Sequence, residues 1–308
     1  MPDTLLTYGN LPPLAHYLSP GAKVAAYVDS SGAATGDFYS IAGNIVTTLN
    51  EGLGACRAGS GDIVVVLPGH DEDIASADQM SKLKAGTRVI GAGSGSLRPK
   101  LTWTATGSSF LLDVAGAELI NLHLVMADTG NGGVSVAAPI TVSAADCAIV
   151  GCDIDISGDA NDLVTIGVTT TAAANNFRFH SNKVIGATAA ECTTFLQVVG
   201  GDGVEITENF ISLATSAVAV GGVRVLTTAS TNMKITDNVI FNNKTASEQA
   251  LTLLANCTGY MDRNLLGVLD NAAVDMGTQG NVILGNDNYI ANTVAERGVQ
   301  MGTVSAAT

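Results

Sequence analysis

Two groups of acidic residues have spacings that suit carbohydrate-cleaving chemistry. Four aspartates fall within one short segment, and these are Asp153, Asp155, Asp159 and Asp162. Glu208 and Asp237 occupy the same place in two successive copies of a sequence repeat. Glycoside hydrolysis needs two carboxyl groups about 5–9 Å apart, and elimination needs a base beside acidic residues that hold Ca²⁺. A solvated acidic face explains either group as well, and we predict no enzyme, no metal site and no cofactor.

The other residues that could do chemistry are explained by structural roles. His70 and His180 could act as general bases, but the spacing places no Ser or Cys nucleophile beside them, so turn or surface positions are expected. Gly91 to Gly95 lacks the Gly-Lys-Ser/Thr and the helix of a phosphate loop, which favours a strand corner. Trp103 is the single Trp and aromatic residues are 5% of the chain, so few stacking platforms for a glycan are available.

These residues lie on a repeated motif. Its copies are Cys147–Ile154, Phe177–Val184, Val204–Ile211, Met233–Ile240 and, more weakly, Met261–Leu266 and Asn288–Ile290. Anchored at positions 152, 182, 209, 238, 264 and 288, the copies are 30, 27, 29, 26 and 24 residues apart. A period in this range indicates a stacked solenoid, and the alternation of apolar and polar residues is that of strands. The sequence therefore predicts an all-β protein, a right-handed parallel β-helix.

Five copies carry Asn at the anchor, and these are Asn182, Asn209, Asn238, Asn264 and Asn288. Asn tolerates the left-handed αL region better than other non-glycine residues, so we expect it at a corner between two strands. Stacked in register, the five side chains are predicted to form a hydrogen-bonded Asn ladder.

Two further columns emerge when the copies are aligned. Four places before the anchor stand Arg178, Glu205 and Lys234, whose alternating charges predict ion pairs between neighbouring rungs. One place after the anchor, Lys183 is followed by four apolar residues, here called the apolar column: Phe210, Val239, Leu265 and Tyr289. If the next residue of each copy points inward, the apolar column points outward.

Composition narrows the classes of partner. The chain has 308 residues and a net charge of -14 without a basic cluster, which argues against nucleic acid. It contains no 18-residue apolar run and no basic N-terminal region, so we expect neither a membrane span nor a signal peptide. The five cysteines include no C-x-x-C pair and are predicted to be reduced, buried small hydrophobes, as suits assembly in a cytoplasm.

Four regions are expected along the chain. Residues 1–37 contain Pro2, Pro12, Pro13 and Pro20 and are predicted to form an extended arm outside the solenoid. Residues 38–60 are predicted to form a capping helix, with Asp37 as N-cap and apolar residues at Ile41, Ile45, Leu49 and Leu53. Residues 61–294 are assigned to the β-helix, whose first strand is 61–70. Residues 295–308 form a C-terminal tail.

The segment from Cys56 to His70, with Pro68-Gly69-His70, followed by Val89 to Pro99, with Arg98-Pro99, resembles a family of β-helical proteins of tailed bacteriophages. The likeness covers roughly residues 38–290. Members resemble tailspike and pectate-lyase solenoids, and some are trimeric capsid decoration, or cement, proteins. The Pro-Gly-His and Arg-Pro elements are typical of phage members, whereas the repeats alone fit any right-handed β-helix.

The resemblance implies a structural virion protein on the outer surface of the head, assembled in the host cytoplasm. The apolar column would then be buried between the subunits of a homotrimer, because a large exposed apolar stripe is otherwise a liability. The arm around Leu11, Pro12, Pro13 and Leu14 would attach the trimer to the major capsid protein. One alternative is a tailspike that binds a glycan weakly or depolymerises a polysaccharide, and a free-standing lyase or adhesin is a third.

Overall fold

A computed structural model describes residues 21–30, 44–126, 136–157, 164–186, 192–214, 221–243, 249–268, 281–285 and 287–292. Strands dominate this part of the chain. It contains one α-helix, α1 (Leu49–Gly54), and a single turn of 3-10 helix at Gly95–Leu97. The Leu11–Leu14 segment of the predicted arm and the tail at 295–308 lie outside the described residues.

The strands are short, between two and five residues each. In chain order they are β1 (Val24–Val28), β2 (Ile45–Val46), β3 (Ile63–Val66), β4 (Asp71–Ile74), β5 (Arg88–Gly91), β6 (Lys100–Trp103), β7 (Phe110–Leu112), β8 (Glu118–Ile120), β9 (His123–Val125), β10 (Ile140–Val142), β11 (Ala148–Val150), β12 (Asp153–Asp155), β13 (Ile166–Thr170), β14 (Arg178–His180), β15 (Lys183–Ile185), β16 (Thr194–Val198), β17 (Glu205–Thr207), β18 (Phe210–Leu213), β19 (Gly221–Val225), β20 (Met233–Thr236), β21 (Val239–Asn242), β22 (Gln249–Thr252), β23 (Thr258–Asp262), β24 (Leu265–Val268), β25 (Asn281–Leu284) and β26 (Tyr289–Asn292).

Three parallel sheets enclose one core. Sheet 1 has 11 strands in the order β2-β1-β3-β5-β8-β11-β14-β17-β20-β23-β25, sheet 2 has nine in the order β4-β6-β9-β12-β15-β18-β21-β24-β26, and sheet 3 has six in the order β7-β10-β13-β16-β19-β22. From β5 to β22 the chain visits sheets 1, 2 and 3 in turn, which makes a solenoid of about six turns. The predicted parallel β-helix is thus confirmed, and each turn stacks on the next at about 4.8 Å.

The corner between sheets 1 and 2 contains the Asn ladder. Each of Asn182, Asn209, Asn238 and Asn264 donates from its side-chain Nδ2 to Oδ1 of the Asn one turn further on, at 2.9 to 3.1 Å. The backbone N–H of each donates to the same oxygen, at 2.9 to 3.2 Å. All five side chains, including Asn288, are buried. The ladder begins where the N–H of Cys152 donates to Oδ1 of Asn182 at 2.9 Å.

The Asn residues are not themselves in the αL region, contrary to expectation. The residue before each of the first four is, with φ of 53° at Ser181, 60° at Glu208, 61° at Asp237 and 52° at Arg263. The corner has two residues, and the first must turn the chain from sheet 1 toward sheet 2. The second must point inward, so only the second can place an amide in the buried ladder.

The N-terminal end of the solenoid differs from the predicted boundaries. β1 pairs with β3 in sheet 1, so the predicted arm at 1–37 includes a strand of the solenoid at Val24–Val28. The predicted helix over 38–60 begins only after Thr48, which forms a capping box with Glu51, while Ile45 belongs to β2. Apolar residues at steps of four suited a longer helix, but Ile45 pairs with Tyr27 in the sheet instead.

Helix α1 packs on the first strands of the core through Leu49 and Leu53, which are buried. Gly52 allows this close approach, because a Cβ there would stand 2.9 Å from Cγ1 of Val64 and 3.1 Å from Cγ2 of Val28. Any larger residue would separate the helix from β1 and β3.

Candidate functional site

The apolar column lies on the outer face of sheet 2. Phe210, Val239 and Leu265 are aligned in register on β18, β21 and β24. Phe210 is 38% exposed and the other two are partly exposed. Their neighbours Ile211, Ile240 and Leu266 are fully buried, as the alternation predicted. Tyr289 continues the register opposite Leu265, but its side chain is outside the described set.

On the N-terminal side of the apolar column, the same face of sheet 2 carries charges. Asp71, Lys100, His123, Asp153 and Lys183 follow one another in register. Lys100 pairs with Asp71 at 2.8 Å, and Arg98 pairs with Asp153 at 2.8 Å. The outer face of this sheet therefore changes from ion-paired to apolar between Lys183 and Phe210.

The outer face of sheet 1 also changes from charged to apolar, along the column of residues that runs from Arg88 to Ile283. Glu118 binds both Arg88, at 3.0 Å, and Arg178, at 2.6 Å. Arg178, Glu205 and Lys234 are stacked in register, as predicted. The ion pair of Arg178 reaches instead across Ala148 to Glu118, because Ala148 leaves space between them. Beyond Lys234 the column continues with Tyr260, 41% exposed, and Ile283, 69% exposed.

The carboxylates at the corner are held by neighbours. Arg263 donates from Nε and Nη2 to both oxygens of Asp237, at 2.6 and 2.8 Å, and from Nη1 to Asp262 at 2.9 Å. The hydrogen bonds from Arg263 lower the pKa of Asp237, and the hydrogen bond from Tyr260 lowers the pKa of Asp262. A glycosidase acid needs the opposite shift, so Asp237 is not arranged as the acid of a pair with Glu208.

The aspartate segment is described only in part. Asp153 is paired with Arg98, and Oδ1 of Asp155 accepts the N–H of Ser157 at 2.8 Å. Asp159 and Asp162 lie outside the described residues. Within the residues that the structure describes, no group of three or more His, Cys, Asp or Glu side chains is arranged to hold a metal ion.

His70 ends a turn, as expected, because its N–H donates to the carbonyl of Leu67 at 3.1 Å, but its side chain is buried and not at the surface. Its Nδ1 accepts the backbone N–H of Ser30 at 2.9 Å, which leaves the ring proton on Nε2 to donate to Glu72 at 3.0 Å. The same oxygen of Glu72 accepts the N–H of Leu49, the first residue of α1, at 2.8 Å. These contacts join the segment after β1, the start of α1 and the segment around β4, and they explain why two polar side chains are buried there.

His180 has a serine neighbour that the spacing did not suggest. Oγ of Ser181 lies 3.1 Å from Nε2 of His180, and Nδ1 of His180 lies 2.8 Å from Oγ1 of Thr207. The αL conformation of Ser181 turns its side chain back toward the histidine. Ser181 donates its one proton to Glu208 at 3.0 Å, so Nε2 of His180 serves as a donor to Ser181 and not as its base.

The remaining candidates have structural positions. Trp103 is fully buried and packs edge-on against Phe110 at 4.8 Å between ring centroids, so it is no platform for a glycan. Gly91 to Gly95 ends β5 in a corner, where Nδ2 of Asn121 donates to the carbonyls of Gly91 and Gly93. All five cysteines are buried free thiols, and burial raises the pKa of Cys147 and Cys152 to about 11.

No protein-family model matches the chain, and neither does any curated protein sequence. In the part of the chain that the structure describes, no helix is long and apolar enough to span a membrane.

The candidate functional site consists of the apolar column, the exposed apolar residues on sheet 1 and the corner that positions both, because these are exposed apolar side chains in register on neighbouring faces.

Proposed function

We propose that this chain is a structural protein of a tailed-bacteriophage virion that self-associates as a homotrimer and decorates the capsid. The observation that carries the proposal is the register of Phe210, Val239 and Leu265 on the outer face of a regular sheet. A parallel sheet holds these side chains at a fixed spacing of about 4.8 Å, which gives a flat apolar surface for another copy.

Three further observations support a structural role. The Asn ladder and the shared ion pairs rigidify the face on which the apolar column lies. The corner carboxylate Asp237 is neutralised by Arg263 instead of standing free beside Glu208. The phage part of the proposal rests on the resemblance over residues 38–290, and attachment to the major capsid protein is assigned to Leu11, Pro12, Pro13 and Leu14 on the sequence alone.

The experiment that tests this function is cryo-electron microscopy of purified particles that carry the protein. Three-fold density distributed over the head, into which three solenoids fit, is the expected result. Density confined to the tail tip would overturn the decoration role and favour the tailspike alternative. Particles assembled with a chain that lacks residues 1–20 are expected to lose this density while the purified chain keeps its oligomeric mass. Normal binding by the truncated chain would remove the arm from its proposed role.

A further inference from the structure

Exposed apolar side chains occur at the same height on two different faces of the solenoid. On sheet 1, Tyr260 and Ile283 are paired in register and point outward. On sheet 2, Leu265 follows Tyr260 around the ladder corner, so the two belong to one turn. The turn of Asn264 thus presents apolar groups on both sides of the corner, and the next turn presents Ile283 on sheet 1.

Lower turns do not share this property. In the turns of Asn182, Asn209 and Asn238, sheet 1 presents the charged residues Arg178, Glu205 and Lys234. In the turn of Asn182, sheet 2 presents Lys183, which is exposed. Double-sided apolar exposure is therefore confined to the C-terminal end of the described solenoid.

The rotational symmetry of a closed ring would require apolar groups on two faces of the same turn. When copies are related by rotation about an axis parallel to the solenoid, every turn faces the same turn of its neighbour. In such a ring the two contacting surfaces of one copy are different, because the contact is heterologous. A ring of this kind needs matching surfaces at equal height on two faces, and the turn of Tyr260 and Leu265 provides them.

A two-fold contact of sheet 2 against itself would use the apolar column alone. Tyr260 and Ile283, at 41% and 69% exposure, would then remain in water. The heterologous contact covers both sets. It also sets Lys234 of one copy against Val239 of the next, where the methylene groups of the lysine can cover the valine while its ammonium group reaches solvent.

We infer that, in the proposed trimer, sheet 1 of one copy packs against sheet 2 of the next and that Tyr260 meets Leu265 in this contact. The inference rests on the proposed self-association. Arg178 on sheet 1 and Lys183 on sheet 2 share one turn and have like charges, so the apolar contact ends before that turn.

Chemical cross-linking between two single-cysteine variants tests the inference. Y260C and L265C are made in full-length chains that carry tags of different size and are assembled together. Packed sheets lie about 10 Å apart, so a bismaleimide of similar span is the reagent. The five natural thiols are buried and should not react in the folded protein. A mixture of R178C chains and K183C chains is the control, because these positions occupy the same two places in a charged turn.

The expected result is a cross-linked species with one chain of each tag from the Y260C and L265C mixture. Neither variant alone should give a linked dimer, and the R178C and K183C mixture should give at least fivefold less. Linked dimers from L265C alone would overturn the inference in favour of a two-fold contact. Equal linking of both mixtures would show contact along the whole solenoid and would also overturn it. Light scattering separates the two proposals, because a monomer contradicts the proposed function itself, whereas an unlinked trimer contradicts only this contact.

Discussion

The Oδ1 atom of Asn238 accepts two hydrogen bonds from Asn209, one from the backbone N–H at 3.0 Å and one from Nδ2 at 2.9 Å. Asn238 in turn donates to Asn264, to the carbonyl of Ile206 and to the carbonyl of Thr236. Every hydrogen-bonding group of this buried amide therefore has a partner, and each Asn depends on the one in the next turn. Such a network fixes the corner that separates sheet 1 from sheet 2.

The substitution Asn238→Leu should destabilise the solenoid by about 2–5 kcal/mol, because it leaves the buried N–H of Asn209 without its acceptor and removes one hydrogen bond each from Nδ2 of Asn209 and the carbonyls of Ile206 and Thr236. Leu itself fits this column, since Leu122 occupies it in a turn below the ladder. Urea unfolding followed by circular dichroism measures the loss. The control is Asn243→Ala, which removes one contact to Ser212 and should cost at most ~0.5 kcal/mol. Equal stability of the Asn238 variant and the wild type would show that the ladder does not stabilise the fold.

The αL residue of the corner is the subject of a second prediction. Glu208 has φ of 60°, so Glu208→Val should be less stable than Glu208→Gly by about 1–2 kcal/mol, because a β-branched residue is strained there. Both variants lose the hydrogen bond from Ser181, and their difference therefore reports the backbone alone. Glu205→Val is the matched control in β17, where an extended strand favours valine. Thermal unfolding of the three variants makes the comparison, and equal stability of Glu208→Val and Glu208→Gly would contradict the assignment.

The ladder was predictable from sequence because identical amides recur at one position of the repeat. The αL position was not, since Gly151, Ser181, Glu208, Asp237 and Arg263 share no residue type. A backbone requirement that several side chains can meet leaves little compositional signal. The outward direction of the apolar column followed from strand alternation, because its neighbours are all large and aliphatic.

The N-terminal turn was less predictable because its contacts are distant in sequence. His70 and Glu72 follow Pro68-Gly69 and have the composition of an exposed turn. They are buried because Ser30 and Leu49, 40 and 23 residues earlier, supply N–H groups that need acceptors. Ile45 likewise fits a helical pattern, and only the edge of β1 makes it a strand residue. Local periodicity contains no information on such partners.

Acid should weaken the first turn through Asp62. This buried carboxylate accepts hydrogen bonds from Nε, Nη2 and the N–H of Arg57 and from the N–H of Lys23, and the side-chain bonds from Arg57 chiefly lower its pKa to about 2. A lowered pKa contributes stability above the unfolded value, near 4, and this contribution is lost as the pH falls toward 2. Because the Arg57 side chain is 51% exposed, solvent screens the pair, and about 1–2 kcal/mol is expected.

The measurement is the difference in unfolding free energy between the wild type and Asp62→Asn at pH 6 and at pH 2.5. The difference should be largest at pH 6 and should shrink at pH 2.5. Asp71→Asn, which alters an exposed pair with Lys100, is the control and should change stability by less than ~0.5 kcal/mol at either pH. A difference for Asp62→Asn that stays constant between the two pH values would refute the linkage.

The proposed interface is tested most directly by Val239→Asp. In the free chain this side chain is on an outer face and only partly covered, so the substitution should leave the fold of a single copy intact. In an assembled trimer it would bury a carboxylate within each of three apolar contacts, at a cost of several kcal/mol for each uncompensated charge. Light scattering at micromolar concentration should therefore give the mass of a monomer, with a circular dichroism spectrum like that of the wild type.

The control is Lys183→Asp, on the same face but on the N-terminal side of the apolar column. This variant should keep the trimeric mass, because that turn lies at the edge of the contact. A Val239→Asp chain that remains a trimer would remove the apolar column from the interface, and an aggregated chain would be retested as Val239→Thr, which keeps the shape of the side chain and should weaken association by about tenfold for a loss of ~1.4 kcal/mol.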